Sequence, residues 1–258
     1  MKLKDKIAVV TGGASGIGES ICKAYSQEGA KVIIADINAE AASKLAQEIG
    51  SNSCSYEVDI SNRSSVIKMA KQVTSEHGDI NILVNNAGAR IIKGFMQHSA
   101  DDWDQMLAIN LSGPFHCSQA FVPNLIRSGG GVIINLCSIA SYIGRPNRCG
   151  YVAAKSGLIG LTRAMAIDLS LKKIRVNAIS PGMIASPFNQ SFAEAEETSD
   201  TWASENLIGR WGAPDDIAGA AVFLASDDSE FITGSDIKVE GGWLYGRARA
   251  GEVPMWDS

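Results

Sequence analysis

Ile7-Ala8-Val9-Val10-Thr11-Gly12-Gly13-Ala14-Ser15-Gly16-Ile17-Gly18 is the stretch from which the rest of the chain is read. Its first four residues are a continuous apolar run, the mark of a strand covered on both faces, and Thr11-Gly12-Gly13 ends it. From Gly16 to Glu28, apolar residues recur at Ile17, Ile21, Ala24 and Tyr25, a helical spacing that stops at Gly29. Glycines between strand and helix let the backbone turn sharply. They also let a diphosphate approach main-chain N–H groups at the positive end of a helix. Their order, Gly12, Gly16 and Gly18, differs from the G-x-G-x-x-G spacing usual in dinucleotide folds, and a glycine-rich turn after a strand is also an ordinary tight turn.

The next run, Val32 to Ala35, leads to Asp36, close to the separation of about 20 residues at which an acidic residue meets an adenosine ribose. A carboxylate there accepts bonds from both ribose hydroxyls and repels a 2′-phosphate. No Arg or Lys adjoins it (Ile37 and Asn38 follow), which favours NAD over NADP. A solvated Asp capping the next helix is the plainer alternative, and Asn38 would cap that helix equally well. Farther on, apolar runs predict strands at Ser53–Val58, Ile80–Val84, Gly131–Leu136, Ile174–Ile179 and Ile237–Val239. Helical spacing predicts helices at Ala39–Ile49, Ser64–Glu76, Asp101–Arg127 and Ser156–Leu171. Strands alternating with helices of this length imply a mostly parallel sheet covered on both faces.

The bulk properties narrow the class. Over 258 residues, 45% are hydrophobic and 28 acidic residues face 23 basic ones, giving a formal charge of -5. One α/β domain spanning 1–258 suits that length. The charge is modest and spread out, which argues against a nucleic-acid or membrane-surface partner. No apolar stretch approaches the roughly 18–20 residues of a membrane helix, and Met1 to Val10 lacks the core of a secretory leader, so a cytoplasmic protein is expected. Cys22, Cys54, Cys117, Cys137 and Cys149 form no C-x-x-C pair and have no His at zinc-ligand spacing; they read as reduced packing thiols, with no metal site called for. His77, His98 and His116 fit no catalytic arrangement.

Several further motifs follow in order. Asp59-Ile60, Asn85-Asn86-Ala87-Gly88, Asn110, Ser138, Tyr151-x-x-x-Lys155 and Pro181-Gly182-Met183-Ile184 join Thr11–Gly18 at spacings that together resemble the short-chain dehydrogenase/reductase family, from Lys6 to about Trp243. The resemblance implies a Rossmann-like doubly wound parallel sheet of about seven strands and a nicotinamide cofactor. It implies a cofactor-binding set of Gly12, Ser15, Gly16, Ile17, Gly18, Asp36, Ile37, Asp59, Ile60, Asn86, Ala87, Gly88, Tyr151, Lys155, Pro181, Gly182, Ile184 and Ser186. In the family Lys155 holds the nicotinamide ribose. Asn110 shapes its helix so that a water links Lys155 to solvent. A homotetramer is the usual assembly. Ser186 stands where many relatives have Thr, and Glu240 where many have Asp. The stretch 186–211 is expected to cover the substrate, and 244–258 extends past the usual end.

The chemistry is also readable from the residues. Tyr151 and Lys155 are four apart near the start of a helix and share one face. A phenol, with its pKa of about 10, gives up its proton poorly at neutral pH; a nearby ammonium favours the phenolate. Tyr151 then serves as the base during oxidation of an alcohol, or the acid during reduction of a carbonyl. Ser138, thirteen residues before it and just past a strand, is placed to bond the oxygen whose charge changes. Singly, each has a plainer reading as a strand-end serine, a surface tyrosine or a solvated lysine. Arg145 and Arg148 lie in the loop between Ser138 and Tyr151, and Arg90 follows Asn-Asn-Ala-Gly after one residue. Arginine forks suit carboxylate, phosphate or sulfonate oxygens, and Asn147-Arg148-Cys149-x-Tyr151 is similar to family members acting on hydroxy acids and acidic sugar derivatives. The expected substrate is therefore small, hydroxylated and anionic, such as a sugar, sugar acid or sulfonated sugar. Two readings compete: an NADPH-dependent 3-oxoacyl thioester reductase, against which Asp36 speaks, and a non-catalytic nucleotide-sensing protein, against which the intact catalytic set speaks.

Overall fold

The central apolar runs become strands covered on both faces, with partly buried strands at the two edges. In the computed structural model, which describes residues 1–190 and 203–246, β1 (Ile7–Thr11), β2 (Lys31–Asp36), β3 (Ser53–Glu57), β4 (Ile82–Asn85), β5 (Gly131–Leu136), β6 (Ile174–Pro181) and β7 (Asp236–Val239) form one parallel sheet. Its order is β3-β2-β1-β4-β5-β6-β7. Val9 pairs with Ile33 on one side and Leu83 on the other, and these three point into one apolar layer with Ile133. Their neighbours Val10, Ile34, Val84 and Ile134 point into the opposite layer. A strand with no polar face reads as an unbroken apolar run, which is why period-two alternation is absent from the sequence.

The longer helices among the described residues are α1 (Gly16–Gln27), α2 (Ala39–Ile49), α3 (Arg63–His77), α4 (Ala100–Leu107), α5 (Gly113–Arg127), α6 (Cys149–Leu169) and α7 (Pro214–Ala225). The layer of Val10, Ile34, Val84 and Ile134 is closed by α1, α2 and α7 through Tyr25, Leu45 and Ile217. The layer of Val9, Ile33, Leu83 and Ile133 is closed by α3, α5 and α6 through Met69, Phe121 and Ala166. Polar side chains start several of these helices. Asn38 accepts from the Ala41 amide (3.0 Å), Asn62 from Ser64 and Ser65, and Ser99 forms a reciprocal capping box with Asp102.

Three elements depart from the sequence reading. The helix expected over Asp101–Arg127 is two α-helices joined by a π-helical turn at Ala108–Ser112, which adds a residue that periodicity does not register. The helix expected from Ser156 starts at Cys149, and its first turn packs closely on α4: a Cβ on Gly150 would stand 3.1 Å from the Met106 Cβ. Helix α7 had no counterpart: Ile217 to Ala225 is small and apolar on every side, so no amphipathic stripe marks it. Its start was legible, with Pro214 at the first position and Asp215 and Asp216 in the first turn. Of the expected substrate cover at 186–211, residues 191–202 lie outside the described residues, as do 247–258 of the extension. No helix among the described residues is long and apolar enough to cross a membrane.

The sheet order reverses between β1 and β4, and in such sheets the crevice past the carboxyl ends of those strands receives ligands.

Candidate active site

A cleft of about 410 Å³ lies at that reversal, and every candidate residue named from the sequence lines it except Gly18. The glycine-rich loop forms its floor. Gly12 has φ +61°, and a Cβ there would stand 2.6 Å from the Ala87 Cα, so the loop and the chain after β4 close on each other only because the position is glycine. A Cβ on Gly18 would collide with the Gly12 carbonyl oxygen; this glycine lets α1 dock beneath the loop and does not itself face the cleft. Asn86 locks the arrangement, its Nδ2 donating to the carbonyls of Thr11 (3.0 Å) and Gly12 (2.8 Å). Thr11 Oγ1 accepts from the amides of Asn86 and Ala87 at 3.1 and 3.2 Å.

These surfaces fit a dinucleotide. The Ser15 side chain makes no capping bond to α1, leaving the N–H groups of the first turn to a ligand oxygen. Asp36 accepts from the Ala14 amide (3.0 Å) and the Asn38 amide (2.9 Å) and so ties the loop to the end of β2. Asn38 is the N-cap of α2, which removes the helix cap as the reason for an acid at position 36. Asp59 is fixed by the amide and hydroxyl of Ser61. No group of three or more His, Cys, Asp or Glu placed to hold a metal ion occurs among the described residues.

On the opposite side of the cleft stand Ser138, Tyr151 and Lys155. Tyr151 and Lys155 are on α6, 8% and 4% exposed. Burial pushes the Tyr151 phenol above its ordinary value; a hydrogen bond from Ser138 and the charges of Arg90 and Arg148 pull it back down. The Lys155 Nζ, 5.9 Å from the Tyr151 ring centre, donates to the Leu136 carbonyl at 2.7 Å, and burial pushes the ammonium down to about 8. Arg90 and Arg148 thus join Lys155 among the cations that stand near the phenol. Asn110 is fully buried in the π-helical turn; its Nδ2 donates to the carbonyls of Ala89 and Met106, both at 3.0 Å. Gly88 lies between it and Lys155: a Cβ there would meet Asn110 Oδ1 at 3.0 Å and Lys155 Nζ at 3.6 Å.

The three arginines converge on this end of the cleft. Burial, then the charge of Arg148, pushes both Arg90 and Arg145 below the usual guanidinium range. Arg145 lies over the Trp243 ring at 5.1 Å, and the indole N–H donates to Glu205 at 2.9 Å. Arg90 donates to Asn189 Oδ1 and the Phe188 carbonyl, both at 2.9 Å. Phe188, Asn189 and Trp243 carried no motif that sequence reading recognises. Phe188 and Asn189 fall within the stretch 186–211 expected to cover the substrate, and Trp243 lies just past a strand end.

Residues 12–244 match the profile of a family described as enoyl-(acyl carrier protein) reductase. The chain is 38% identical over 247 residues to the D-threitol dehydrogenase of Mycolicibacterium smegmatis, covering 94% of each chain. A 3-oxoacyl-(acyl-carrier-protein) reductase of Thermotoga maritima is 35% identical over 245 residues, 94% of this chain and 99% of that one. Among solved structures, a gluconate 5-dehydrogenase from Burkholderia cenocepacia in complex with NADP and tartrate superposes with a TM-score of 0.90 at 32% identity, over 94% of this chain and 96% of the other.

Proposed function

The chain belongs to the short-chain dehydrogenase/reductase family, and from that membership we propose that it is an NAD-preferring dehydrogenase acting on a CH–OH group of a small, hydroxylated, anionic substrate, with sugar acids as the leading class. The observation that carries this reading is one cleft that brings Asp36 and the glycine-rich loop to one end and the Ser138–Tyr151 pair with three guanidinia to the other. The bound nicotinamide dinucleotide supplies the hydride acceptor or donor. Gly12, Ser15, Gly16 and Ile17 would receive its diphosphate, Asp36 and Ile37 its adenosine ribose, Asp59 and Ile60 its adenine, and Lys155 its nicotinamide ribose. Asn86 to Gly88 and Pro181 to Ser186 would line the remainder.

The protein's own part is the proton. Ser138 stands beside the Tyr151 phenol, where its hydroxyl eases ionisation and would align the substrate oxygen. Tyr151 takes the hydroxyl proton during oxidation, or returns it to the carbonyl oxygen during reduction. Arg90 and Arg148 offset part of the cost of a phenolate in this buried place. Repulsion among the three guanidinia favours a substrate carrying a carboxylate or sulfonate, which would relieve it. Asp36, with no basic neighbour, favours NAD by repelling the additional phosphate of NADP. The D-threitol and gluconate dehydrogenase relatives support a polyhydroxylated substrate class.

The test is a panel of polyols, aldoses, aldonates and hydroxy acids offered with NAD and with NADP, following the reduced cofactor. NAD is expected to give kcat/KM at least about tenfold higher. On the best substrate, Tyr151→Phe is expected to lose about 10²–10⁴ in rate, as removal of a general acid–base does, with NAD affinity retained. Full activity of that variant would end the proposal, and a preference for NADP would end the role given to Asp36. A second reading, a 3-oxoacyl thioester reductase, rests on the Thermotoga relative; it would show as turnover of a 3-oxoacyl thioester with NADPH and none of the polyol panel.

A further inference from the structure

Arg90 leaves the loop after β4, two residues past Gly88, and reaches across the mouth of the cleft to the chain past β6. Those strands are not neighbours: β5, whose end carries Ser138, lies between them. The guanidinium uses its fork twice, Nη1 donating to Asn189 Oδ1 and Nη2 to the Phe188 carbonyl, each at 2.9 Å. It also lies 4.5 Å from the centre of the Phe188 ring. That ring also stands beside Tyr151, with centroids 6.2 Å apart and planes inclined by 41°. Asn189, 7% exposed, sends its Nδ2 back to the Ile184 carbonyl at 2.9 Å, so the receiving end is itself anchored.

We propose that Arg90 is a positioning residue that fastens the turn Pro187–Asn189 to the loop after β4 and thereby holds Phe188 against the reacting phenol. Two of its donors serve the protein's own acceptors. A lysine cannot replace it, because one ammonium lacks the planar fork that meets two acceptors while stacking on a ring. The groups facing Tyr151 are Ser138 and Cys137 at the end of β5, Arg90, Arg148 at the head of α6, and Lys155 at 5.9 Å from its ring. Arg90 therefore also contributes charge, and charge and fork are separable by experiment.

The test compares hydrogen–deuterium exchange in the full-length protein, Arg90→Ala and Arg90→Lys. The amides of Ala185 and Asn189, bonded to Gly212 and Ser186, are expected to exchange at least tenfold faster in both variants, with β5 and α6 unchanged. Unaltered exchange at these amides in either folded variant overturns the proposal; should Arg90→Ala fail to fold, Arg90→Lys decides. A kinetic arm rests on the dehydrogenase reading. It expects kcat to fall about tenfold in both variants at unchanged KM for NAD. It also expects the alkaline rise of the oxidation rate to move to higher pH in Arg90→Ala alone. Full recovery of kcat in Arg90→Lys would show that charge suffices and would overturn the fastening role. If no substrate in the panel is turned over, the exchange result stands by itself.

Discussion

Arg148 stands three residues before Tyr151, at the N-cap of α6, and its charge acts on the phenol and on both other guanidinia. An anionic substrate group placed among them removes repulsion as well as making hydrogen bonds, so its loss should appear in binding more than in turnover. Arg148→Ala is expected to raise the substrate KM tenfold or more, about 1.4 kcal/mol, with KM for NAD unchanged; equal substrate KM in the two proteins would take the anion out of the reading. At this scale the sequence carried the residues whose spacing is itself chemical. Tyr151 and Lys155 share a helix face, and Ser138 follows a strand end. It did not separate the arginines, because a side chain's partner depends on what crosses the cleft: Arg90 finds Phe188 and Asn189, nearly a hundred residues away. Of the paired asparagines the resemblance named only Asn86 for the cofactor, and the two have different partners in the fold. Asn85 belongs to a buried ladder, donating to Asn135, which donates to Thr162, whereas Asn86 ties the glycine-rich loop.

Between β2, β3 and α3, far along the chain from Ser138, Tyr151 and Lys155, His77 is the centre of a polar clasp. Lys31 Nζ lies 2.9 Å from Nδ1, and since an ammonium only donates, Nδ1 must be the bare nitrogen of a neutral ring. Nε2–H then donates to Tyr56 Oη at 2.9 Å, the Tyr56 hydroxyl donates to Glu76 at 2.7 Å, and Cys54 Sγ lies 3.3 Å from Nε2. Burial, then the Lys31 charge, holds His77 below its ordinary value, with Glu76 opposing. The native state therefore binds this proton less readily than the unfolded chain. The clasp stabilises fully above the unfolded His pKa of about 6.5, and its contribution is lost as pH falls through the lower folded value. The urea midpoint should fall between pH 7.5 and 5.5, and His77→Gln should fall less; equal falls would exclude His77 as the source. No motif announces this clasp, because its members meet only once β2 and β3 are paired in register. Helix boundaries follow the same rule. Where one face is apolar, as in α1 and α2, periodicity locates them, and where burial is complete or a π-turn intervenes, as in α7 and around Asn110, it does not.

The cleft draws on the whole sheet: the loop after β1, Asp36 at the end of β2, Asp59 after β3, Asn86 to Gly88 after β4, Lys155 on α6 and Gly182 past β6. Strand alternation made the parallel sheet legible from the sequence, and right-handed crossovers limit how such strands can be ordered. The convergence of residues 12 and 182, however, exists only in the folded chain. A dinucleotide that needs this set binds the native state and not the unfolded one, so cofactor affinity adds to folding stability. At a hundredfold excess over Kd the gain is about 2.7 kcal/mol. For a chain of this size each kcal/mol raises Tm by about 2–4 °C, so saturating NAD should raise the melting temperature by roughly 5–10 °C. If Asp36 repels the additional phosphate, NADP at the same concentration gives a smaller rise, and Asp36→Ala narrows the gap chiefly by improving the NADP response. This measurement needs no substrate. A dinucleotide-independent melting temperature would mean that the cleft does not bind the cofactor its residues fit, and equal rises with NAD and NADP would assign the preference to something other than the carboxylate at the end of β2.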